Sequence, residues 1–190
     1  MSGWSAGVTA GAATVILAVG GFVAHETVTG QPGYDRAEFG DGWADLDGDS
    51  CRTRDEILTR DSTTPGSCPP RPGPVTIRDP YTGRIVTGRG DIDIDHVFAL
   101  VDAWDSGADA WTRPRRVAFA NDEQNLVATA DDVNRVKGGR GPDGWRPPDP
   151  GGWCRYAGIY RDTATRWGLT LTPGQEAALA ELGRGCGGAR

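Results

Sequence analysis

Histidine is scarce in this chain of 190 residues, which contains only His25 and His96. Imidazole is the side chain whose ordinary pKa lies closest to neutrality, so chemistry that needs a base near pH 7 has few candidates here. His25 lies at the edge of an apolar N-terminal segment. His96 is therefore the candidate catalytic imidazole.

Other missing patterns exclude whole classes of protein. The sequence has no Cys-x-x-Cys pair, which argues against a zinc ribbon or a thioredoxin-like redox site. It has no internal repeats, and its net charge of −6 argues against a generic nucleic-acid coat. The 29 Gly and 13 Pro instead predict a loop-rich domain with short elements.

The first part of the chain has the composition of a targeting segment. Residues 6–24 carry no charge, which is typical of a signal peptide or an uncleaved membrane anchor, and a linker follows to residue 33. The alternative is a buried helix, for which the segment is unusually rich in Gly and Ala. We expect a secreted protein or an extracellular membrane-anchored one, and both outcomes stay open.

The cysteine content supports export, because disulfides persist in oxidising compartments. Four cysteines allow three connectivities, of which the sequential one is the simplest. The cysteines are Cys51, Cys68, Cys154 and Cys186.

One short stretch leads directly to the candidate imidazole. Ile92 and Ile94 alternate with three aspartates over residues 91–95, which predicts a half-buried strand ending at His96. In a regular strand Asp95 and His96 would point to opposite faces. Both can serve one centre only if the strand ends or bulges there, and we expect such a break.

The remaining pattern predicts an α+β domain over residues 34–190. We divide it into an acidic N-terminal subregion (34–75), a core (76–138) and a C-terminal part (139–190). The predicted elements are a strand, turn and strand over 76–86, the strand at 91–97, helices at 97–104 and 112–120, a strand at 125–129, a helix at 131–137, and closing helices at 154–167 and 173–182.

An aspartate-rich loop lies in the acidic subregion. Asp45, Asp47, Asp49 and Glu56 occupy positions 1, 3, 5 and 12 of a loop that resembles an EF-hand calcium loop. Position 6, normally Gly, is Ser50. The loop therefore predicts a calcium site, and the alternative is a turn capped by aspartates that leads into a helix.

Six short motifs occur in a fixed order between residues 43 and 138. They are Trp-x-Asp-x-Asp-Gly-Asp-x-Cys (43–51), Asp-Pro-Tyr-Thr-Gly (79–83), Asp-His (95–96), Ala-Asn-Asp (120–122), Asn-Leu (125–126) and Asn-x-x-Lys-Gly (134–138). In this order they resemble the HNH endonuclease superfamily, and more closely its exported bacterial members. The likeness spans about residues 34–186.

The resemblance implies a ββα-metal core with surrounding helices and disulfide-tied loops. It implies that His96 is the general base that activates water, and that Asp95 and Asn134 hold a metal ion. Asn125 would position the region of His96, and Lys137 would contact the scissile phosphate. Oxygen ligands with no second histidine nearby favour Mg²⁺ or Mn²⁺ over Zn²⁺.

The expected function is thus an exported, metal-dependent endonuclease of low sequence specificity that hydrolyses nucleic acid, with DNA favoured and RNA left open. No protein partner is predicted. The alternative is a non-catalytic extracellular calcium-binding or interaction module with a degenerate nuclease core. Arginines could bind backbone phosphates: first Arg135 and Arg140, and also Arg113, Arg115, Arg116 and Arg146.

Overall fold

A computed structural model describes the protein over residues 33–64, 66–68, 74–184 and 186. Apart from Gly33, the predicted export segment and linker lie outside the described residues. In the part of the chain that is described, no helix is both long enough and apolar enough to cross a membrane.

Helices and short strands are mixed along the described chain, and the predicted α+β class is confirmed. The helices are α1 (Thr53–Asp61), α2 (Leu100–Asp105), α3 (Arg113–Ala120), α4 (Asp131–Lys137), α5 (Trp153–Trp167) and α6 (Pro173–Gly183). The strands are β1 (Thr76–Arg78), β2 (Ile85–Thr87), β3 (Ile92–His96) and β4 (Leu126–Ala130). Short 3-10 helices lie at Arg36–Phe39, Ala108–Ala110, Glu123–Asn125 and Pro150–Gly152.

The strands form two separate antiparallel pairs, β1 with β2 and β3 with β4. The second pair runs in unbroken register from Ile92 opposite Ala130 to His96 opposite Leu126. Within the described residues, β3 pairs along only one edge, so its other edge is open. Helix α4 begins directly after β4 and packs against β3. The amide of Asp131, at the start of α4, bonds to the carbonyl of Asp91 just before β3, and Lys137, at the end of α4, bonds to His96 at the end of β3.

Buried side chains form two apolar clusters. The larger one lies among the helices and includes Phe98, Phe119 and Tyr160. The smaller one lies between α1 and the strands and includes Ile57 and Ile94. Burial of apolar surface stabilises by about 25 cal/mol per Å², so these clusters supply the main force that fixes the strand pairs and helices.

Two disulfides join distant parts of the chain in the sequential pattern. Cys51 bonds to Cys68 with 5.6 Å between the two Cα atoms, and Cys154 bonds to Cys186 with a separation of 5.4 Å. The first bond ties the segment before α1 to the loop after it. The second ties the start of α5 to the chain just past α6.

Candidate active site

His96 is held by a single hydrogen bond of its ring. Nε2 lies 2.8 Å from the carbonyl oxygen of Ala120, at the end of α3. A carbonyl oxygen can only accept, so Nε2 carries the proton and Nδ1 is the nitrogen with a free lone pair. The indole of Trp43 stacks on the ring at 5.5 Å with 10° between the planes. The imidazole is thus fixed in orientation and in tautomer.

The electrostatic surroundings keep this imidazole neutral. Burial lowers the pKa of His96 from 6.5 to about 3, the hydrogen bond to Ala120 opposes that shift, and the nearby cations Arg36 and Lys137 lower it further. At neutral pH the ring therefore has one unprotonated nitrogen, Nδ1, and its low pKa makes that nitrogen a weak base.

The ring of His96 lies at a cleft. His96 is among the residues that line the cleft, and 7% of its surface is exposed. Its Nδ1 forms no hydrogen bond with any residue that the structure describes.

Asp95 lines the same cleft as His96, but its carboxylate is occupied. One oxygen accepts from the Tyr81 hydroxyl, and the other lies 2.9 Å from Lys137 Nζ. With both oxygens bound inside the core, the arrangement does not fit the predicted metal ligand. The strand ends at His96, as expected, and its pairing with β4 contains no bulge.

Lys137 is also placed differently from its predicted role. Its side chain is completely buried, and its ammonium donates to Asp95 and, at 2.7 Å, to the carbonyl oxygen of His96. The residue lies one turn after Asn134 on α4, but it points into the core. It therefore stabilises the end of β3 from below and cannot contact a phosphate in this arrangement.

Asn125 fastens the backbone that follows His96. Its side-chain oxygen accepts from the amide of Phe98 at 2.8 Å, and its side-chain nitrogen donates to the carbonyl of Phe98 at 3.0 Å. Its own carbonyl accepts from the amide of Val97. These bonds join the two ends of the segment that contains α2 and α3. The chain therefore leaves β3 in one fixed direction.

Asn134 is the predicted ligand that does face the open side. Its Nδ2 lies 3.3 Å from a carboxylate oxygen of Asp93, which fixes the amide and leaves Oδ1 free for another partner. Both Asn134 and His96 line a cleft of about 300 Å³ along the open edge of β3. An amide oxygen and a neutral imidazole therefore share one cleft.

The arginines predicted to bind phosphate lie elsewhere. Arg135 pairs with Asp131 at 2.6 Å and lines a different surface depression, and Arg140 donates to the carbonyl of Lys137. Four further arginines have partners of their own: Arg113 pairs with Asp41, Arg115 stacks on Trp111, Arg116 pairs with Glu38, and Arg146 stacks on Trp153.

Sequence reasoning missed part of the cleft. Tyr34 and Arg36 line it from the segment before α1, and Trp43 covers the ring of His96. These residues lie in the acidic N-terminal subregion, whose average composition does not single them out, and they follow no periodic pattern. The one sequence signal is an arginine between two aromatic residues, and this pattern is too common to predict a binding site.

The aspartate-rich loop is folded around its own backbone. Asp45 accepts from the amides of Gly48 and Ser50, at 2.8 and 3.0 Å. Oxygen atoms of Asp45, Asp47 and Asp49 all lie within 4.8 Å of one another on the surface. Ser50 has a φ of 73°, the only positive φ of a non-glycine residue in the described chain. Ser50 therefore adopts the turn conformation that position 6 of a calcium loop requires, and this conformation strains the backbone of a non-glycine residue.

Glu56 lies beside this loop. Burial raises the pKa of its carboxyl, and Glu123 and the loop aspartates raise it further. One of its oxygens lies within 4.8 Å of Asp49 and of the Cys51 sulfur, which is in a disulfide and cannot act as a thiolate ligand. The loop thus concentrates negative charge with no cationic side chain in the cluster.

Comparison with known proteins gives one relative. An "Uncharacterized secreted protein" of the fungus Arthroderma benhamiae is 38% identical to this chain over 161 residues, which are 82% of this chain and 77% of the fungal protein. No family model matches the chain, and no solved structure matches it.

These findings correct one expectation from the sequence. The resemblance to exported bacterial HNH endonucleases assigned the chain to that family, and this assignment is wrong. The relative that was found is a secreted fungal protein, and no nuclease family model matches. A chemical function must therefore be argued from the cleft itself.

Proposed function

Because the chain belongs to the same family as the secreted protein of Arthroderma benhamiae, we propose that it too is an extracellular protein. The two disulfides support this location, since disulfides persist in oxidising compartments. Retention of an N-terminal anchor and its removal both agree with the proposal.

We further propose that the cleft at β3 is the active site of a metal-dependent hydrolase of phosphodiester bonds, with DNA as its expected substrate. The observation that carries this proposal is the state of His96. Its ring is neutral, its Nε2 is fixed to Ala120, and the residue lines the cleft. The ring thus has a fixed orientation and an unprotonated nitrogen, and a positioned general base contributes about 10²–10⁴-fold in rate.

The proposed step is a hydrolysis. Nδ1 of His96 takes a proton from a water molecule, and the water oxygen forms a bond to phosphorus. The bond between phosphorus and the leaving sugar oxygen breaks, and solvent supplies a proton to that oxygen. Burial and the stack on Trp43 keep the ring in place while it changes charge.

The proposal includes β3, β4 and α4 as a ββα unit around one Mg²⁺ or Mn²⁺. The Oδ1 of Asn134 is the protein ligand that fits, because Asp93 holds the other end of the amide. Asp95 does not fit, since Tyr81 and Lys137 occupy its oxygens. Mg²⁺ usually retains several waters, so few protein ligands are needed. When bound, the ion would offset negative charge on the phosphoryl oxygens.

A nicking assay tests this function. Purified protein with supercoiled plasmid and Mg²⁺ or Mn²⁺ should convert the plasmid to open circles, and EDTA should stop the reaction. His96→Ala should lower the rate by about 10²-fold or more. Asp162→Ala, an exposed change on α5, serves as the control and should match wild type.

One further readout separates a base from a structural histidine, since added imidazole should partly restore the rate of His96→Ala only if the ring acts as a base. The wild-type rate should in addition show no titration near pH 6.5 that belongs to the histidine. The reason is that burial holds the pKa of His96 at about 3. Equal rates for wild type and His96→Ala in several divalent metals would exclude the proposed activity.

A second candidate function is calcium binding by the aspartate-rich loop, and we propose it on a separate observation. Three exposed carboxylates, of Asp45, Asp47 and Asp49, lie within 4.8 Å of one another, and Glu56 lies next to them. Mutual repulsion of these charges would be relieved by a hard cation with oxygen ligands. The protein would then be an extracellular calcium-binding module, with or without hydrolase activity.

Calorimetric titration with calcium tests this second candidate. Wild type should release or absorb heat with a stoichiometry near one, and Asp45→Ala should weaken binding by at least 10-fold. Asp162→Ala is again the matched control, because it also removes one exposed carboxylate. If Asp45→Ala and Asp162→Ala titrate alike, the loop is not the ligand.

A further inference from the structure

The cleft carries an uncompensated positive charge, although the net charge of the whole chain is −6. Asp95 is neutralised by Lys137 beneath it, and His96 is uncharged. Of the side chains that line the cleft, Arg36 is the one with an uncompensated charge. The cleft therefore presents a local positive charge beside the imidazole.

Arg36 has no anionic partner. It is exposed, it forms no ion pair with any residue that the structure describes, and its side chain hydrogen-bonds to the neutral hydroxyl of Tyr34. Every other arginine considered above has a carboxylate, a carbonyl oxygen or an aromatic ring as its partner. A guanidinium that lines a cleft without a counter-charge is suited to an anion, which it can bind through two parallel hydrogen bonds.

The backbone that carries Arg36 is firmly anchored. Arg36 begins a 3-10 helix whose last residue, Phe39, is buried in the larger cluster. Asp35 caps this helix by accepting from the amide of Ala37 at 2.9 Å. Tyr34, which precedes it, packs edge-on against Trp104 at 6.0 Å. The backbone of Arg36 is therefore fixed in place, and its side chain hydrogen-bonds to Tyr34.

Arg36 also lies close to the ring of His96. It lines both the cleft and a smaller recess on the Trp43 side of His96, so it spans the two sides of the ring. Its charge contributes, after burial, to the low pKa of His96. An anion held by Arg36 would accordingly lie next to the water that His96 activates.

We propose that Arg36 binds the phosphodiester group of the substrate and holds it against the water at His96. This inference rests on the proposed hydrolase function and adds its substrate-binding residue. It replaces Lys137, Arg135 and Arg140, which face the core or another surface. Arg36 should both bind the ground state and offset charge as the phosphoryl group reacts.

The binding test uses the intact wild-type chain in EDTA, where the proposed hydrolysis does not proceed. Anisotropy of a fluorescein-labelled 12-nucleotide DNA is recorded over a series of salt concentrations. Arg36→Gln should weaken binding by about 10-fold and reduce the salt slope by about one, as loss of one phosphate contact predicts. Arg36→Lys should keep the slope with an intermediate affinity.

Arg155→Gln is the matched control, because Arg155 is exposed on α5 and does not line the cleft. It removes the same charge and should leave affinity and slope close to wild type. Both variants should unfold at the wild-type temperature, since neither side chain is buried. If Arg36→Gln and Arg155→Gln bind alike, or if wild type does not bind the DNA, the inference is overturned.

Plasmid nicking with Mg²⁺ separates this inference from the function on which it rests. We expect wild type to nick, and Arg36→Gln to do so at least 10-fold more slowly than Arg155→Gln. Nicking by wild type and Arg36→Gln at equal rates would refute the role of Arg36 and leave the hydrolase intact. Arg36-dependent DNA binding without nicking in any metal would instead refute the hydrolase and leave a phosphate-binding cleft.

Discussion

Lys137, the only lysine of the chain, lies directly beneath the candidate active site. Its ammonium is fully buried between the Asp95 carboxylate and the carbonyl of His96. Burial raises the pKa of Asp95, and the charge and hydrogen bond of Lys137 oppose that rise. The pair thus ties the helix that carries Asn134 to the strand that carries His96.

Removal of one partner of this pair should be strongly destabilising. Lys137→Met leaves a buried carboxylate without its counter-charge, which costs about 3–5 kcal/mol of unfolding free energy. The double variant Lys137→Met/Asp95→Asn should recover part of that loss, because no isolated charge remains. Urea denaturation of the wild type, both single variants and the double variant measures the coupling. Additive losses in this cycle would mean that the two side chains act independently.

At this scale the sequence predicts the location of His96 better than its surroundings. His96 is the candidate base because the chain has so few histidines, and the strand ends at this residue as expected. The bonds of Tyr81 and Lys137 to the Asp95 carboxylate have no sequence pattern that predicts them. The carbonyl of Ala120 that fixes the ring lies 24 residues away and has no sequence pattern at all.

Three helices meet at one buried carboxylate, Asp102 of α2. The hydroxyl of Tyr160 on α5 donates to one oxygen, and Gln175 of α6 donates to the other at 2.8 Å. The backbone of Gly141 passes so close that an added Cβ would lie 2.7 Å from the carboxylate. The loop after α4 therefore needs glycine there, and Asp102 links α2, which lines the cleft, to the two closing helices.

Burial raises the pKa of Asp102 from 3.8 to about 6, and Asp143 adds to the shift, while Tyr160, Gln175 and Lys137 oppose it. The folded state then holds a proton that the unfolded state has lost, so this group makes stability fall as pH rises from about 4 to 6. The penalty is fully present above pH 6. His96, with its lowered pKa, has the opposite effect over an overlapping range.

The difference in unfolding free energy between wild type and Asp102→Asn isolates the contribution of Asp102, because His96 contributes equally to both proteins. The stability of the variant relative to wild type should improve on the order of 2 kcal/mol between pH 4 and pH 7. Urea denaturation at half-unit steps of pH measures it. A difference that does not change with pH would show that Asp102 keeps an ordinary pKa.

Regular elements follow from the sequence because their signals are local. The closing helix predicted at residues 173–182 is observed as Pro173–Gly183, and it begins with a capping box in which Thr172 and Gln175 exchange hydrogen bonds. The 3-10 helix at Arg36–Phe39 was not predicted, since four residues carry too little periodicity. This helix carries Arg36, the residue on which the binding proposal depends.

The net charge of the molecule conceals an uneven distribution of charged side chains. A net charge of −6 describes a chain that concentrates acids in the loop at residues 45–49 and leaves Arg36 uncompensated at the cleft. Composition could assign the fold class and the extracellular setting. It could not show that the acidic N-terminal stretch contributes one wall of the cleft, because that depends on contacts between residues far apart in the chain, such as the stack of Trp43 on His96.

The same wall limits how the length of the chain can change in evolution. Each residue inserted between Arg36 and Trp43 adds up to about 3.8 Å of backbone, enough to slide the guanidinium or the indole away from His96. The turn between β2 and β3 contributes no side chain to the cleft and can vary in length at little consequence. In related chains, insertions and deletions should therefore collect in that turn and avoid the stretch from Tyr34 to Trp43.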